Sequence, residues 1–244
     1  MIAVFGFFFA DRLIFRPHPS SYQDTGNIIK LSSGATRISA VYLPNEAARY
    51  TILYSHGNAE DIGDLLPMLE TMRRSGFAVL AYDYKGYGTS GGASSERSAY
   101  EDEDAAYDYL VTSRRIPAHR VIALGRSLGG AMAVDLARRR PVAALIVQSS
   151  FITAFRAMTG VPIVPLDEFR SDDKIGQVRC PVLIIHGTED AVISLRHGQR
   201  LFRDANTPKR SWWVAGAGHD DLPDVAGARY LKTLRQFADS LGGR

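Results

Sequence analysis

Short, nearly continuous apolar runs alternate with helix-length amphipathic stretches along most of this chain, and this alternation limits most strongly how the chain can fold. The runs after residue 50 are dominated by Val, Ile, Leu, Ala and aromatic residues. Strands that are apolar on both faces are typical of a parallel sheet covered by helices on either side. The runs are Thr51 to Ser55, Phe77 to Tyr82, Val121 to Gly125, Ala144 to Gln148, Val182 to His186 and Trp212 to Ala215, and the helical stretches lie near 61–74, 95–112, 128–140, 194–204 and 226–241.

Strand alternating with helix predicts an α/β fold with a doubly wound, mostly parallel sheet and helices on both faces. Earlier in the chain, Ile28 to Leu31 and Arg37 to Leu43 flank a turn at Ser32 to Gly34, which predicts an opening antiparallel hairpin and an eight-stranded sheet in all. Because no repeat or low-complexity linker divides the chain, we expect one domain over 26–244. An apolar segment and lead-in at 1–25 precede it, and a short cap insert at 151–178 lies within it.

Composition excludes several classes of function. Lys and Arg number 29 against 26 Asp and Glu, so the net charge of +3 is too near balance to predict a nucleic-acid partner. The densest basic run, Arg138 to Arg140, is expected to be the solvated end of a helix. A single cysteine, Cys180, excludes an internal disulfide framework and a multi-cysteine metal site. No histidine pair has zinc-binding spacing, so no metal and no cofactor is predicted.

The N-terminus is unusually hydrophobic. Met1 to Ala10 is wholly apolar, and Leu13 to Phe15 continue the pattern after two charged residues. Ten helical residues rise about 15 Å, half of a hydrocarbon core of roughly 30 Å, so the segment is too short to span a bilayer. Three alternatives stay open, namely a helix packed on the domain, a peripheral membrane contact through Met1 to Phe15, and the remainder of a longer anchor. The expected location is accordingly cytoplasmic or membrane-associated.

Ligands of doubly wound sheets bind outside the carboxyl ends of the strands, so the loops that follow the strands are the place to look for chemistry. Gly125 to Gly129 matches the pattern G-x-S-x-G, and so does Gly88 to Gly92. Context separates the two serines, because Ser127 follows a predicted strand and opens a predicted helix, whereas Ser90 does neither. This strand-turn-helix arrangement is the nucleophile elbow, so Ser127 is the predicted nucleophile.

A serine hydroxyl needs a base to take its proton and a carboxylate to orient that base. In folds with this elbow the chain order is serine, acid, histidine. His219 lies in a Gly-Ala-Gly-His turn after the last predicted strand, and Asp190 follows the strand that ends at His186. We therefore predict Ser127, Asp190 and His219 as a catalytic triad, with Glu189 as the nearest rival for the acid.

A tetrahedral oxyanion needs two preorganised N–H donors. The Leu128 amide, at the start of the helix after the nucleophile, is predicted to supply one of them. The Asn58 amide, which follows Ser55-His56-Gly57 at the end of another strand, is predicted to supply the other. Gly57 is expected to adopt the backbone conformation that turns this amide inward.

These motifs together resemble the α/β-hydrolase superfamily, and within it the serine hydrolases that carry Ser-His-Gly-Asn-Ala-Glu-Asp, among them membrane-anchored hydrolases and protein depalmitoylases. The resemblance implies the α/β-hydrolase fold and the same triad. The N-terminal cysteine cluster of the depalmitoylases has no counterpart before Cys180. The matching stretches are Ser55 to Asp61, Asp83 to Gly88, Gly125 to Gly130, Ile185 to Asp190 and Gly216 to His219.

The substrate prediction depends on the insert between the strands near 148 and 182. It is too short for a large lid, so an open site is expected. Phe151, Phe155, Met158 and Ile163 are candidates to line an acyl groove, or else they pack the insert onto the core. The predicted activity is hydrolysis of carboxylic esters or thioesters of short to medium acyl length, on a small-molecule or acyl-protein substrate. A serine peptidase and a non-catalytic binding protein are the alternatives.

Overall fold

In the computed structural model, which describes residues 14–154 and 168–243, one eight-stranded sheet runs through the protein. The first two strands form an antiparallel hairpin, the second pairs antiparallel with the fourth, and all the other pairs are parallel. The predicted fold class is confirmed. The strands are β1 (Ile28–Ser33), β2 (Thr36–Leu43), β3 (Thr51–Ser55), β4 (Ala78–Tyr82), β5 (Val121–Arg126), β6 (Ala144–Gln148), β7 (Val182–Gly187) and β8 (Lys209–Val214). In the sheet they lie side by side in the order β1-β2-β4-β3-β5-β6-β7-β8.

Helices cover both faces of the sheet. The described helices are α1 (Ile62–Arg74), α2 (Glu96–Asp108), α3 (Leu128–Arg139), α4 (Ser171–Ile175), α5 (Leu195–Asp204), α6 (Leu222–Ala226) and α7 (Ala228–Asp239), and a π-helical turn at Tyr109–Ser113 extends the second of them. Buried residues of α2, α3, α4 and α5 belong to one core, and those of α1, α6 and α7 to the other. The helix predicted near 226–241 corresponds to α7, whereas the short α6 directly before it is not predicted. Gly227, at φ +53°, separates α6 from α7 in a conformation that glycine adopts at little cost.

Strand β3 shows why the parallel strands read as continuous apolar runs. Leu53 belongs to one core, whereas its neighbours Ile52 and Tyr54 belong to the other, and all three are fully buried. Strand β8 lies at the edge of the sheet and begins at Lys209, before the predicted start at Trp212. An edge strand accepts charged side chains, so hydropathy alone does not reveal its first residues.

The predictions for residues 1–13 and for Phe155, Met158 and Ile163 fall outside the described residues. At the end of the apolar N-terminal segment, Ile14 and Phe15 are buried in the core, and the Phe15 ring meets Tyr87 and Phe169 edge to face. These two residues are therefore not available to a bilayer, and a peripheral membrane contact stays a prediction for the residues before them. Within the described ranges, no helix has the length and hydrophobicity needed to cross a membrane.

Candidate active site

Ser127 occupies a sharp turn between β5 and α3. Its backbone has φ 51° and ψ −118°, a strained conformation for a residue with a Cβ atom. A Cβ atom on Gly125 would overlap the carbonyl group of Gly129, and one on Gly129 would overlap the carbonyl group of Ser55. Both glycines are thus required by space, because the turn lies directly against the neighbouring backbone. This geometry is the predicted elbow.

The structure brings the three predicted residues of the triad into one hydrogen-bonded chain. His219 Nε2 lies 3.1 Å from Ser127 Oγ, and His219 Nδ1 lies 2.8 Å from Asp190 Oδ2. Glu189, the rival acid, has an exposed side chain, and its backbone amide donates to the carbonyl of Ala217. The contact to the histidine therefore belongs to Asp190.

The Asp190 carboxylate is held by both of its oxygens. Oδ1 accepts hydrogen bonds from the amides of Val192 and Ile193, at 3.0 and 2.7 Å. Beside Oδ2, the buried His186 places its Nε2 at 3.3 Å, and the same nitrogen lies 2.7 Å from the Ile193 carbonyl oxygen. Burial disfavours the charged form, but the hydrogen bonds from His186, His219 and Ile193 hold the pKa of Asp190 well below its usual range. An ionised Asp190 orients the imidazole with its Nδ1–H toward the carboxylate and Nε2 free to accept the serine proton.

Two backbone amides beside Ser127 are suited to bind an oxyanion. The N–H groups of Leu128, at the first position of α3, and of Asn58, after β3, have no acceptor among the described residues. The special backbone conformation expected of Gly57 is not observed, because the φ angle of Gly57 lies outside the left-handed region. A Cβ atom on Gly57 would instead lie 2.7 Å from Glu60 Oε1, so a larger residue would displace the end of the Glu60 side chain.

The side chain of Asn58 forms hydrogen bonds that connect the loop after β3, called the oxyanion loop below, to the N-terminal segment. Its Oδ1 accepts hydrogen bonds from the Tyr87 hydroxyl at 2.6 Å and from the Arg16 amide at 2.9 Å, and its Nδ2 donates to the Ile14 carbonyl. The sequence predicts a role for the Asn58 backbone alone. These contacts join residues that lie far apart in the chain, so no local pattern reveals them.

A cavity of about 590 Å³ contains Ser127 and His219. Phe151 and Val192 line it, and Val192 is 61% exposed. Apolar walls of this kind suit an acyl chain. The apolar lining residues are Ile14, Leu128, Phe151, Ala154, Val192 and Ile193.

A buried pair of titratable groups, His56 and Asp83, lies behind the oxyanion loop. His56 Nε2 is 3.5 Å from Asp83 Oδ1, which also accepts the Ile62 amide at 2.9 Å, while the Tyr22 hydroxyl donates to Oδ2. Burial raises the pKa of Asp83 to about 7 and lowers the pKa of His56. The carboxyl group of Asp83 is therefore largely protonated in the folded protein below neutral pH.

This pair predicts how stability depends on pH. An aspartate in the unfolded chain ionises near pH 4, whereas Asp83 in the folded protein ionises near 7, so its contribution to stability is lost as the pH rises through that window. An asparagine at this position has no proton to lose, so the Tm of Asp83→Asn minus that of the wild type should increase from about pH 5 to about pH 8. Thermal melts across this range measure the difference.

Asp204→Asn is the control for these melts. Burial opposes ionisation of Asp204, but hydrogen bonds from Arg203 and Arg200 hold the pKa of Asp204 below its ordinary value. Its contribution is therefore complete above about pH 5, and the Tm difference for this variant should stay level. A level difference for Asp83→Asn as well would contradict the raised pKa.

In the described part of the chain, three potential metal ligands meet only at His18, Asp61 and Asp64. Asp61 is the N-cap of α1 and accepts the amides of Gly63 and Asp64. His18 Nε2 lies 3.0 Å from Asp64 Oδ2, which also accepts the Asp61 amide. The helix cap and these local hydrogen bonds account for the cluster.

An eight-stranded, mostly parallel sheet with a strained serine elbow and a Ser-His-Asp chain across its loops defines an α/β hydrolase. A family model described as serine aminopeptidase, S33, matches residues 46–166. The chain is 40% identical over 212 residues to alpha/beta hydrolase domain-containing protein 17B of Xenopus tropicalis, covering 84% of this chain and 72% of that protein. The human 17B protein is 39% identical with the same coverage. The chain belongs to the alpha/beta hydrolase domain-containing protein 17 family.

Other relatives are longer than the matched region, and the similar solved structures are more distant in sequence. The protein aho-3 of Caenorhabditis elegans is 39% identical over 203 residues, which are 81% of this chain, but the match spans only 59% of that protein's length. The Pyrococcus furiosus esterase Pf2001 superposes with a TM-score of 0.79 at 16% identity, over 94% of this chain and 98% of that one. A monoacylglycerol lipase of Paleococcus ferrophilus gives a TM-score of 0.67 at 18% identity, over 84% and 99%. At these identities the structural matches establish the fold alone.

Proposed function

We propose that this protein is a serine hydrolase that cleaves carboxylic ester or thioester bonds through an acyl-enzyme on Ser127. The observation that carries the proposal is the chain of contacts from Ser127 Oγ to His219 Nε2, at 3.1 Å, and from His219 Nδ1 to Asp190 Oδ2, at 2.8 Å. A structural turn serine would need neither the strained elbow nor an aligned histidine and buried carboxylate. Membership of a family named for hydrolases supports the same conclusion.

In the first half of the reaction, His219 Nε2 takes the proton of Ser127 as Oγ forms a bond to the substrate carbonyl carbon. The carbonyl π electrons move to the oxygen, and the amides of Asn58 and Leu128 bind the resulting oxyanion. When the tetrahedral intermediate collapses, the bond to the leaving oxygen or sulfur breaks. His219 then delivers its proton to that atom, and the acyl group stays on Ser127.

The second half repeats these steps with water. His219 removes a proton from a water molecule as the water oxygen attacks the acyl carbon, and the same two amides bind the second oxyanion. Collapse breaks the bond to Ser127 Oγ, which regains its proton from His219, and a carboxylic acid leaves. Asp190 stays ionised throughout and stabilises the imidazolium that forms in each half.

The walls of the cavity support an acyl substrate of short to medium length. Ile14, Leu128, Phe151 and Ile193 offer apolar contact near Ser127, and the polar groups that line the same cavity include Arg126 and Asp220. The cavity opens to solvent beside the exposed Val192, which leaves room for a large leaving group such as the protein part of an acyl-protein. Acyl groups longer than the cavity would lie partly in water and gain little further binding energy.

A chain-length series tests the proposed function. For p-nitrophenyl esters from acetyl to palmitoyl, kcat/KM is expected to peak at short to medium chains and to decline for long ones. A thioester of the preferred acyl group should be hydrolysed as well, because thiolate is a good leaving group. Each rate is compared with that of Ser127→Ala, and activity that rises steadily to palmitoyl would contradict the proposed chain length.

A peptide amide in the same series tests the alternative function. The matching family model is described as a serine aminopeptidase, which makes amide cleavage the specific competitor. An amine leaves only after protonation, so the ester should be cleaved faster by several orders of magnitude. Comparable rates on ester and amide would favour a peptidase, and no turnover of any substrate would favour a non-catalytic binding protein.

A further inference from the structure

Arg126, the residue between Gly125 and the proposed nucleophile, ends β5 and bridges the loops that follow two other strands, β3 and β8. Its side chain is only 12% exposed. One guanidinium nitrogen lies 2.6 Å from Glu60 Oε2, in the loop after β3. The other lies 2.7 Å from Asp220 Oδ1 and 3.4 Å from the carbonyl oxygen of His219, both in the loop after β8. The guanidinium thus contacts the loops that present the oxyanion amide and the proposed base.

Glu60 connects Arg126 to the backbone of the oxyanion loop. Its second oxygen, Oε1, accepts the Gly57 amide at 2.5 Å, which fixes the backbone just before Asn58. Glu60 is 15% exposed, so both charges of the Arg126–Glu60 pair are largely removed from water. Breaking a shielded pair of this kind leaves an uncompensated charge, and the loop that carries it then rearranges to reach water. The Asp220 carboxylate is 83% exposed, so its contribution is screened by solvent.

We propose that Arg126 and Glu60 are positioning residues for the proposed hydrolysis. Together they hold the oxyanion loop and the loop that carries His219 in position around Ser127. Their opposite charges also offset each other's electrostatic effect on the base and on the oxyanion. The inference rests on the proposed function. It differs from a purely structural role because it assigns opposite electrostatic effects to the two partners.

The charges around His219 determine the signs of these effects. Replacing Arg126 by a neutral residue leaves the negative charges of Glu60 and Asp220 without their positive partner. The extra negative charge stabilises the protonated imidazole and destabilises the oxyanion. Replacing Glu60 leaves an unneutralised guanidinium, which disfavours the protonated imidazole. Titratable and charged groups surround His219 on its own loop and on the elements packed against that loop. They are Asp190, Asp220, Asp221, Arg126, Glu60, Arg16 and, through Asp190, His186.

The test compares Arg126→Gln, Glu60→Gln and the double variant over a pH series on the preferred p-nitrophenyl ester. For Arg126→Gln, kcat is expected to fall by about tenfold or more with KM changed less. The midpoint of the acid limb of kcat/KM should move upward by about 0.5 pH unit, the shift expected for one partly screened charge. Glu60→Gln should move it downward. Because the two residues act through one contact, the loss in the double variant should be smaller than the product of the single losses.

Two further variants keep the test decisive. Arg97→Gln removes an arginine from an ion pair with Glu101 on α2, where the arginine side chain is 90% exposed, and should change neither kcat nor the acid limb. Arg126→Lys keeps the charge but not the two-pronged geometry, and should restore the acid limb while recovering kcat only in part. If Arg126→Gln does not fold, Glu60→Gln and Arg126→Lys carry the comparison.

The inference is overturned if Arg126→Gln and Glu60→Gln keep kcat within about twofold, or if both lose stability while the acid limb stays in place. In either case the proposed function stands as long as Ser127→Ala is inactive. If Ser127→Ala retains wild-type activity, the proposed function itself fails, so the two failures are distinguishable.

Discussion

A fluorophosphonate probe should label the wild-type protein and fail to label Ser127→Ala, with ester hydrolysis falling by about a millionfold. The probe reacts by attack of an activated serine oxygen on phosphorus, and alanine offers no such atom. Removing the nucleophile of a triad abolishes the function of all three residues together, which is why the loss is so large. Gel fluorescence of probe-treated protein and hydrolysis of p-nitrophenyl butyrate measure the two effects.

Ser90→Ala is the matched control, because Ser90 lies in the second G-x-S-x-G stretch. Its Oγ accepts the Ser39 amide at 2.8 Å and donates to the Asp83 carbonyl at 2.9 Å. Both partners belong to the neighbouring backbone, and neither is an imidazole. This variant should label like the wild type, and a labelled Ser127→Ala protein would show that the nucleophile is elsewhere.

The comparison of these two serines shows what the sequence alone could establish. The same five-residue pattern occurs twice, and only the strand before Ser127 and the helix after it separated the two. Asp190 and His219 were found in the same way, because each follows a strand whose carboxyl end lies at one edge of the sheet. Local pattern and fold class together thus sufficed to predict which residues meet.

Contacts that depend on side-chain packing between distant segments were not predictable in this way. Arg126 occupies the variable position of the G-x-S-x-G pattern, so the pattern gives no reason to expect its pairing with Glu60 and Asp220. Ile14 belongs to an apolar segment, and this pattern does not indicate that its backbone carbonyl accepts a hydrogen bond from the Asn58 side chain. The short helix α6 is not predicted either, because five residues are too few to show a helical repeat of apolar positions.

Replacing the acid of the triad should also cause a large loss of activity. Asp190 Oδ1 accepts two backbone amides, from Val192 and Ile193, so this position can be filled only by an acceptor. In Asp190→Asn the amide carbonyl would therefore occupy the Oδ1 position, and the NH2 group would occupy the Oδ2 position beside His219 Nδ1. An NH2 group there donates to Nδ1, which places the imidazole proton on Nε2, facing Ser127.

That tautomer cannot accept the serine proton, so kcat of Asp190→Asn should fall by about 10³ to 10⁴, while KM changes little. Glu189→Gln is the matched control, because it makes the same chemical change one residue earlier on an exposed side chain and should keep wild-type kcat. Steady-state kinetics on a short-chain p-nitrophenyl ester decide between the two carboxylates.

Since the orientation of the asparagine amide follows from the two backbone donors, an Asp190→Asn variant with nearly full activity would mean that His219 does not need Asp190 to act as a base. Equal losses in both variants would instead assign a shared role to Glu189, which is at odds with the exposure of its side chain and with the direct contact between Asp190 and the imidazole.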